Sequence, residues 1–348
     1  MMRICIVTDA WHPQVNGVVR TLETTRRVLE SRGHDVAVIA PDRFRSAPCP
    51  SYPEIRLALA GKKRVGEMIE ALRPQALHIA TEGPLGYAAR RWAKRSGVPF
   101  TTAFHTHFPQ YVARRTGLSE DLFWPAMRRF HAASSAVLCA TDSLRQELAR
   151  RGIPHSRLWS RGVDLSAFGP DGPRDERMLA LAQGRPRLLY VGRLAVEKNL
   201  EAFLSLDIEA DKFVVGDGPQ RRHLERAFPR SHFLGKRSGE ALAAAYRTAD
   251  CFVFPSRTDT FGLVMIEALA SGTPVAAYDV MGPRDVLSDR VGAVGPDLAA
   301  NVARALTLDR ATCHAHAQRY TWDAATDMFE DALIPLGTSM AARAMVDA

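Results

Sequence analysis

Two acidic residues eight positions apart, Asp259 and Glu267, bracket a Phe-Gly pair in the stretch SRTDTFGLVMIEALASGTPV, residues 256–275. Glu267 falls inside an apolar run, where a carboxylate suits two vicinal hydroxyls of the kind a ribose presents. Asp259, in the polar turn before that run, suits the hydroxyls of another sugar. Upstream, VGRLAVEKN sets Arg193 and Lys198 five positions apart in a loop that leaves an apolar strand. A guanidinium fork and a point-charge ammonium aimed at one place suit a diphosphate. Two further segments add backbone donors. Gly17 in QVNGVVR lies between a strand and a helix, where an unhindered N–H favours an anion. Phe261, Gly262 and Leu263 open a helix whose first N–H groups are free to hold a diphosphate or sugar hydroxyls. Acids on either side of a phosphate cradle describe a nucleotide sugar.

The elements that must position these residues read as repeated strand–helix units. RICIVTDA, a helical pattern from Val18 to Arg32 and HDVAVIAP begin the first series; ALHIAT, VPFTTAFHTH and AVLCATDS continue it. After the Gly/Pro/Asp-rich FGPDGPRDER, residues 168–177, a second series runs RLLYVGRL, DKFVVGDGP, HFLGK, CFVFPS and PVAAYDV. Alternating strands and helices in both halves predict an α/β protein of two Rossmann-like, doubly wound parallel-sheet domains. The expected divisions are 1–164, 165–320 and a helical tail, 321–348, crossing back to the first domain. Two such domains facing a cleft would place ligands at the carboxyl ends of their strands. The nearest Gly-x-Gly, in VGDGPQRR, is weak evidence for a dinucleotide, so hydride transfer is poorly supported.

Composition is that of a globular protein, 46% hydrophobic and 24% charged. No apolar run approaches the ~18 residues of a membrane span. The opening MMRICIVTDAW lacks a signal-peptide pattern, because Thr8 and Asp9 interrupt its apolar run. Five cysteines without a CxxC pair read as buried thiols rather than disulfides or metal ligands. His105 and His107, two apart in FHTH, lack an acidic or cysteine partner at ligand spacing, so no metal is expected there. A cytoplasmic protein fits these features. Its charge is uneven: residues 1–164 carry 25 Lys and Arg against 14 Asp and Glu, while the remainder carries 21 against 24. A basic half suggests an anionic partner, and on charge alone nucleic acid, an anionic membrane and a phosphorylated substrate all remain open.

Many ordered motifs carry a resemblance over nearly the whole chain: NGVVR, FHTHF, RGVD, VGRL with EKN, VGDGP, FLG and EALASGTPV. They resemble the family-four retaining glycosyltransferases of GT-B fold. SRTDTFG, FHTHFP and GTPVAAYDVMGPRDV look most like bacterial mannosyl-, glucuronosyl- and sulfoquinovosyl-diacylglycerol synthases. The resemblance implies that Gly17 approaches the donor diphosphate and that Arg193 and Lys198 neutralise it. Glu267 would hold the ribose, Phe261, Gly262 and Leu263 would offer backbone groups, and Gly235 would lie beside the base. His105 would face the reacting sugar. Asp259 stands at the first acidic position, where the family more often has Glu, and its shorter reach weakens any inference about the sugar. The implied chemistry is transfer of a hexose from a GDP- or UDP-linked donor, with retention and with neither metal nor cofactor.

The same family often docks its N-terminal domain on membranes, which makes a lipid acceptor and an anionic bilayer the favoured partners. Lys62, Lys63 and Arg64 precede an amphipathic pattern of Val65, Met68, Ile69 and Leu72. Arg114 and Arg115, with Arg128 and Arg129, lie among Leu122, Phe123 and Trp124. Cations beside exposed apolar residues suit such a surface. Nothing resembles a nucleic-acid-binding module. The expected location is peripheral, on the inner face of the cell membrane. A soluble or polysaccharide acceptor, and a non-catalytic nucleotide-sugar-binding module, are the alternative readings.

Overall fold

A computed structural model describes residues 1–336 except 15, 50, 51 and 60; at 49, 52–55, 62, 114 and 115 it describes the backbone alone. The chain forms two compact units. One comprises Met1–Ser160 and the returning segment that begins at Trp322; the other is Arg161–Thr321.

In the first unit the apolar runs become β1 (Arg3–Val7), β2 (Asp35–Ile39), β5 (Ala76–Ile79), β6 (Thr101–Phe104) and β7 (Ala136–Cys139), with β8 (Ser156–Leu158) at the edge. Between β2 and β5 lies an antiparallel hairpin, β3 (Ser46–Cys49) and β4 (Tyr52–Ala58). The main sheet is parallel, in the order β2-β1-β5-β6-β7-β8. Successive side chains leave a strand on opposite faces, so both faces of β1 are used. Ile4 and Ile6 join Leu22 and Leu29 of helix Gly17–Ser31 and Phe329 of helix Trp322–Ala332. Cys5 and Val7 join Val65 and Ile69 of helix Lys62–Leu72 and Ala89 of helix Pro84–Ser96. The returning helix is fastened by Arg32, which pairs with Asp327 at 2.7 Å, Glu330 at 3.2 Å and Asp323 at 3.3 Å.

The second unit repeats the plan with β9 (Arg187–Val191), β10 (Asp211–Val215), β11 (His232–Gly235), β12 (Cys251–Phe254), β13 (Val275–Tyr278) and β14 (Gly292–Gly295). Its sheet is parallel, in the order β11-β10-β9-β12-β13-β14. At the amino ends of the adjacent β9 and β12, Arg187 donates to Asp250 from its backbone N–H at 2.7 Å and from its guanidinium at 2.8 and 2.9 Å.

The four cysteines with described side chains are buried and form no disulfide with one another. Burial pushes the Cys5 and Cys313 thiols up to about 12. Among the described residues no helix is long and apolar enough to cross a membrane. The packing corrects one expectation. Val65 and Ile69 are fully buried and Met68 and Leu72 pack on the same core, so the apolar stripe of helix Lys62–Leu72 faces inward. A parallel sheet must cover its second face, and this stripe covers it.

Candidate active site

Both sheets change winding direction once, and each reversal is a topological switch point, where open α/β sheets bind ligands beyond the strand ends. In the second unit it lies between β9 and β12. The loop after β9 carries Arg193 and Lys198, and the loop after β12 carries Asp259. The two loops are laced together. Asn199, left-handed at φ 54°, donates from its carboxamide to the Pro255 carbonyl at 3.1 Å. Lys198 Nζ lies 2.6 Å from Asp259 Oδ1. Burial alone would raise the Asp259 carboxyl, but the Lys198 ammonium, by charge and by hydrogen bond, and the Ser256 hydroxyl bring it below its ordinary value. Lys198 thus uses one of its three N–H donors on Asp259. Arg193 is half-buried, and its carbonyl accepts a 2.9 Å hydrogen bond from the Tyr190 hydroxyl.

The chain after Asp259 turns through Gly262, left-handed at φ 88° and ψ 74°, and enters helix Leu263–Ala270 with no side-chain cap. A Cβ at Gly262 would stand 2.9 Å from the Met265 methyl and 3.0 Å from the Phe254 ring, so both space and φ select glycine. Phe261 is buried with its ring against Tyr320. Behind the loop, Gly282 packs so closely that a Cβ there would meet the Phe261 carbonyl at 2.8 Å and that of Asp259 at 3.0 Å. Glu267, on the second turn of the helix, is 1% exposed, and its Oε2 accepts from the Tyr246 hydroxyl at 3.0 Å. A buried carboxylate needs such a donor.

Gly235 ends β11 at φ 78°, and its carbonyl accepts the Gly216 N–H at 2.9 Å. The glycines of VGDGP have a packing explanation. A Cβ at Gly216 would run into the Gly192 carbonyl and one at Gly218 into that of Leu194, so the pair lets β10 approach the β9 loop.

In the first unit the switch point lies between β1 and β5. Gly17 begins its helix there, but Asn16 Oδ1 already accepts from the Val18 and Val19 N–H groups, each at 3.0 Å. A diphosphate would therefore meet the bare Cα of Gly17 rather than an uncapped helix end. The neighbouring helix Pro84–Ser96 is capped from outside, by Asp9, which accepts from the Leu85 N–H at 2.9 Å and the Gly86 N–H at 3.2 Å. Burial raises the Asp9 carboxyl despite these bonds. His105 follows β6, is buried, and lies edge-on to Trp159. His107 serves the local structure, since its Nδ1 accepts from the Gln110 N–H at 3.3 Å and caps helix Phe108–Thr116. Among the described residues no group of three His, Cys, Asp or Glu side chains gathers at a metal-binding distance.

Lys63 and Arg64 are exposed, and Lys63 lies 3.8 Å from Glu67. The side chains of Lys62, Arg114 and Arg115 lie outside the described residues. Trp124, expected near the surface, is buried, stacked on Phe104 and covered by the Arg151 guanidinium at 5.0 Å. Sequence reading missed Tyr190 and Tyr246. Their signal was a tyrosine in an apolar strand or helix face, whose hydroxyl must find a polar partner.

The Glycosyltransferase Family 4 profile matches residues 15–167, and that of Glycosyl transferases group 1 matches residues 185–308. A GDP-mannose-dependent alpha-mannosyltransferase of Mycolicibacterium smegmatis is 35% identical over 82% of this chain and 82% of its own length. The sulfoquinovosyl transferase SQD2 of Arabidopsis thaliana is 32% identical over 90% of this chain and 69% of its own. An alpha-monoglucosyldiacylglycerol synthase of Streptococcus pneumoniae is 27% identical over 83% and 75%. Among solved structures, sucrose-phosphate synthase of Thermosynechococcus elongatus superposes with a TM-score of 0.75 at 19% identity, over 95% of this chain and 98% of that one, which speaks for the fold. Both matched profiles and a relative this similar over most of both chains make this protein a member of glycosyltransferase family 4, with the two parallel-sheet domains of the GT-B fold.

Proposed function

We propose that the enzyme transfers a hexose, with retention of configuration, from a GDP- or UDP-linked sugar to a membrane lipid such as diacylglycerol or a glycolipid. The observation that carries the donor half is the switch point of the second unit, where Arg193 and the Lys198–Asp259 pair stand at the ends of adjacent strands. As the leaving group departs, negative charge grows on the diphosphate and positive charge on the sugar. Arg193, the remaining Lys198 donors and the uncapped N–H groups of helix Leu263–Ala270 would stabilise the former. These groups would take the place of a divalent metal, so metal independence is part of the proposal. Glu267, oriented by Tyr246, would accept the ribose hydroxyls, and Asp259 would contact the sugar. His105 would face the reacting sugar.

The acceptor half is supported by a relative named for diacylglycerol, and the GDP-linked donor by another named for GDP-mannose. The surface is supported by charge and exposure. Lys63, Arg64, Arg128 and Arg129 are exposed, as are Leu118 and Leu122. Within this reading these residues support peripheral attachment, on the inner face of the cell membrane.

The test incubates purified enzyme with GDP-mannose, UDP-glucose and UDP-glucuronate in turn. Diacylglycerol, a glycosyl-diacylglycerol or soluble mannobiose is the acceptor, with EDTA in half of the reactions. The expected result is a lipid-linked α-hexoside formed at the same rate with and without EDTA. Transfer only to a soluble sugar would defeat the lipid acceptor, and a rate abolished by EDTA would defeat metal independence.

A further inference from the structure

Glu82, a largely buried carboxylate of the first unit, neither caps a helix nor belongs to the donor site. It follows β5 at the switch point between β1 and β5, on the same sheet edge as Gly17 and His105. Ile79 of β5 pairs with Thr102 of β6, so Glu82 and His105 stand equally far beyond that pair, on neighbouring parallel strands. The nearby Asp9 is committed, both of its oxygens accepting backbone N–H groups. Glu82 is not. Its Oε1 is shielded from solvent and has no hydrogen-bond partner, and the His131 Nε2 stands 3.3 Å away, off the hydrogen-bond line.

His131 is fully buried and held on its other side, with Nδ1 2.9 Å from the Thr102 hydroxyl. His155 Nε2, 3.2 Å from the His131 carbonyl, donates to it and also lies 3.3 Å from the Ser134 hydroxyl. The Thr102 hydroxyl donates to Ser134 Oγ at 3.2 Å, and Ser134 Oγ donates to the His131 carbonyl at 2.8 Å. The Nε2 edge of the His131 ring faces Glu82. A chain of buried polar groups thus stands behind one side of a carboxylate whose side chain is 18% exposed. With Oε1 turned to His131, the exposed part of the side chain leaves Oε2 to meet a ligand's donor at the sheet edge where such folds bind ligands.

We infer that Glu82, backed by His131 at 3.3 Å, is the carboxylate that accepts a hydroxyl of the incoming acceptor. It acts in binding and orientation, and no proton transfer is assigned to it. The inference rests on the transferase reading but not on the identity of the acceptor.

The experiment compares wild type with Glu82→Gln, which keeps shape and removes charge. The acceptor is whichever of diacylglycerol, glucosyl-diacylglycerol in neutral detergent and soluble mannobiose the wild type uses fastest. Use of mannobiose alone would sink the lipid reading and leave this test intact. The expected result is a rise of about tenfold in acceptor KM, the usual effect of losing a hydrogen bond to a charged group. Donor hydrolysis without acceptor, and affinity for free GDP and UDP, should stay at the wild-type level. An unchanged acceptor KM would overturn the inference. So would a loss confined to thermal stability or to nucleotide affinity, since that marks a structural role. Should Glu82→Gln fail to fold, Glu82→Asp serves instead: the charge stays, the reach shortens, and acceptor KM should still rise.

Discussion

Glu267 shows how far a single residue can be read from sequence. Its position in an apolar helix marked it for a polar role, because a carboxylate is not buried without a partner. The partner, Tyr246, lies on another helix and was not legible, since hydrogen bonds between distant segments leave no spacing signal. The arrangement predicts that Glu267→Gln and Tyr246→Phe both weaken binding of free nucleotide. The Tyr246 variant should lose about tenfold, the lower end of the worth of one hydrogen bond to a charged acceptor. Calorimetry with GDP and UDP checks this, and unchanged affinity in both variants would remove Glu267 from the ribose. A second residue-scale prediction concerns Asp250. Burial raises its carboxyl, but three hydrogen bonds from Arg187 outweigh that and leave it below its ordinary value. A depressed folded value means stability that is present above the unfolded value, ~3.9, and lost as pH falls beneath it. Asp250→Asn should therefore cost about 1–2 kcal/mol at pH 7. Toward pH 3 the gap from wild type should close. A gap independent of pH would show that charge is not the cause.

Elements with apolar, β-branched cores were legible, and those without were not. β1, β2, β9 and β12 follow their apolar runs closely, because each strand is buried on both faces and so reads as a continuous hydrophobic block. The edge strands β8, Ser-Arg-Leu, and β14, Gly-Ala-Val-Gly, are short and carry little such signal. The hairpin β3–β4 contains prolines, which point away from a strand. Glycine in VGDGP was legible as a signal and ambiguous as to cause. Its cause in the structure is close approach, and this can be tested. Gly216 has φ +141° and no room for a Cβ beside the Gly192 carbonyl, so Gly216→Ala should cost roughly 3 kcal/mol. By pulling the β9 loop off β10 it should also weaken donor binding. Gly184, at φ +77° with nothing within 4 Å, is the control, and Gly184→Ala should cost only about 1 kcal/mol of backbone strain. Equal losses in thermal unfolding would mean that conformation alone, and not crowding, selects glycine in VGDGP.

At the scale of the whole molecule, charge is the property that the sequence displays and the fold then organises. The excess of Lys and Arg lies in residues 1–164, and folding turns Lys63, Arg64, Arg128 and Arg129 outward in that unit. The apolar half of the membrane pattern did not survive folding, because the core took Val65, Ile69 and Trp124. Exposed Leu118 and Leu122 remain. Attachment would therefore be mainly electrostatic, with little insertion, and this makes it sensitive to salt. Replacing Lys62, Lys63 and Arg64 together with Gln should lower affinity for anionic liposomes by roughly two orders of magnitude, at about 1 kcal/mol for each cation near such a surface. Raising the salt should mimic the variant, since exposed charges are screened over ~10 Å at 0.1 M. Arg193, Lys198 and Glu267 belong to the other unit, so affinity for free nucleotide should stay at the wild-type level. Transfer to acceptor in anionic bilayers should fall, while transfer to the same acceptor in neutral detergent persists. Co-sedimentation at low and high salt, read beside both activities, decides the matter. If variant and wild type sediment alike at low salt, the cluster has no part in docking, and the exposed leucines with Arg128 and Arg129 become the surface to mutate next.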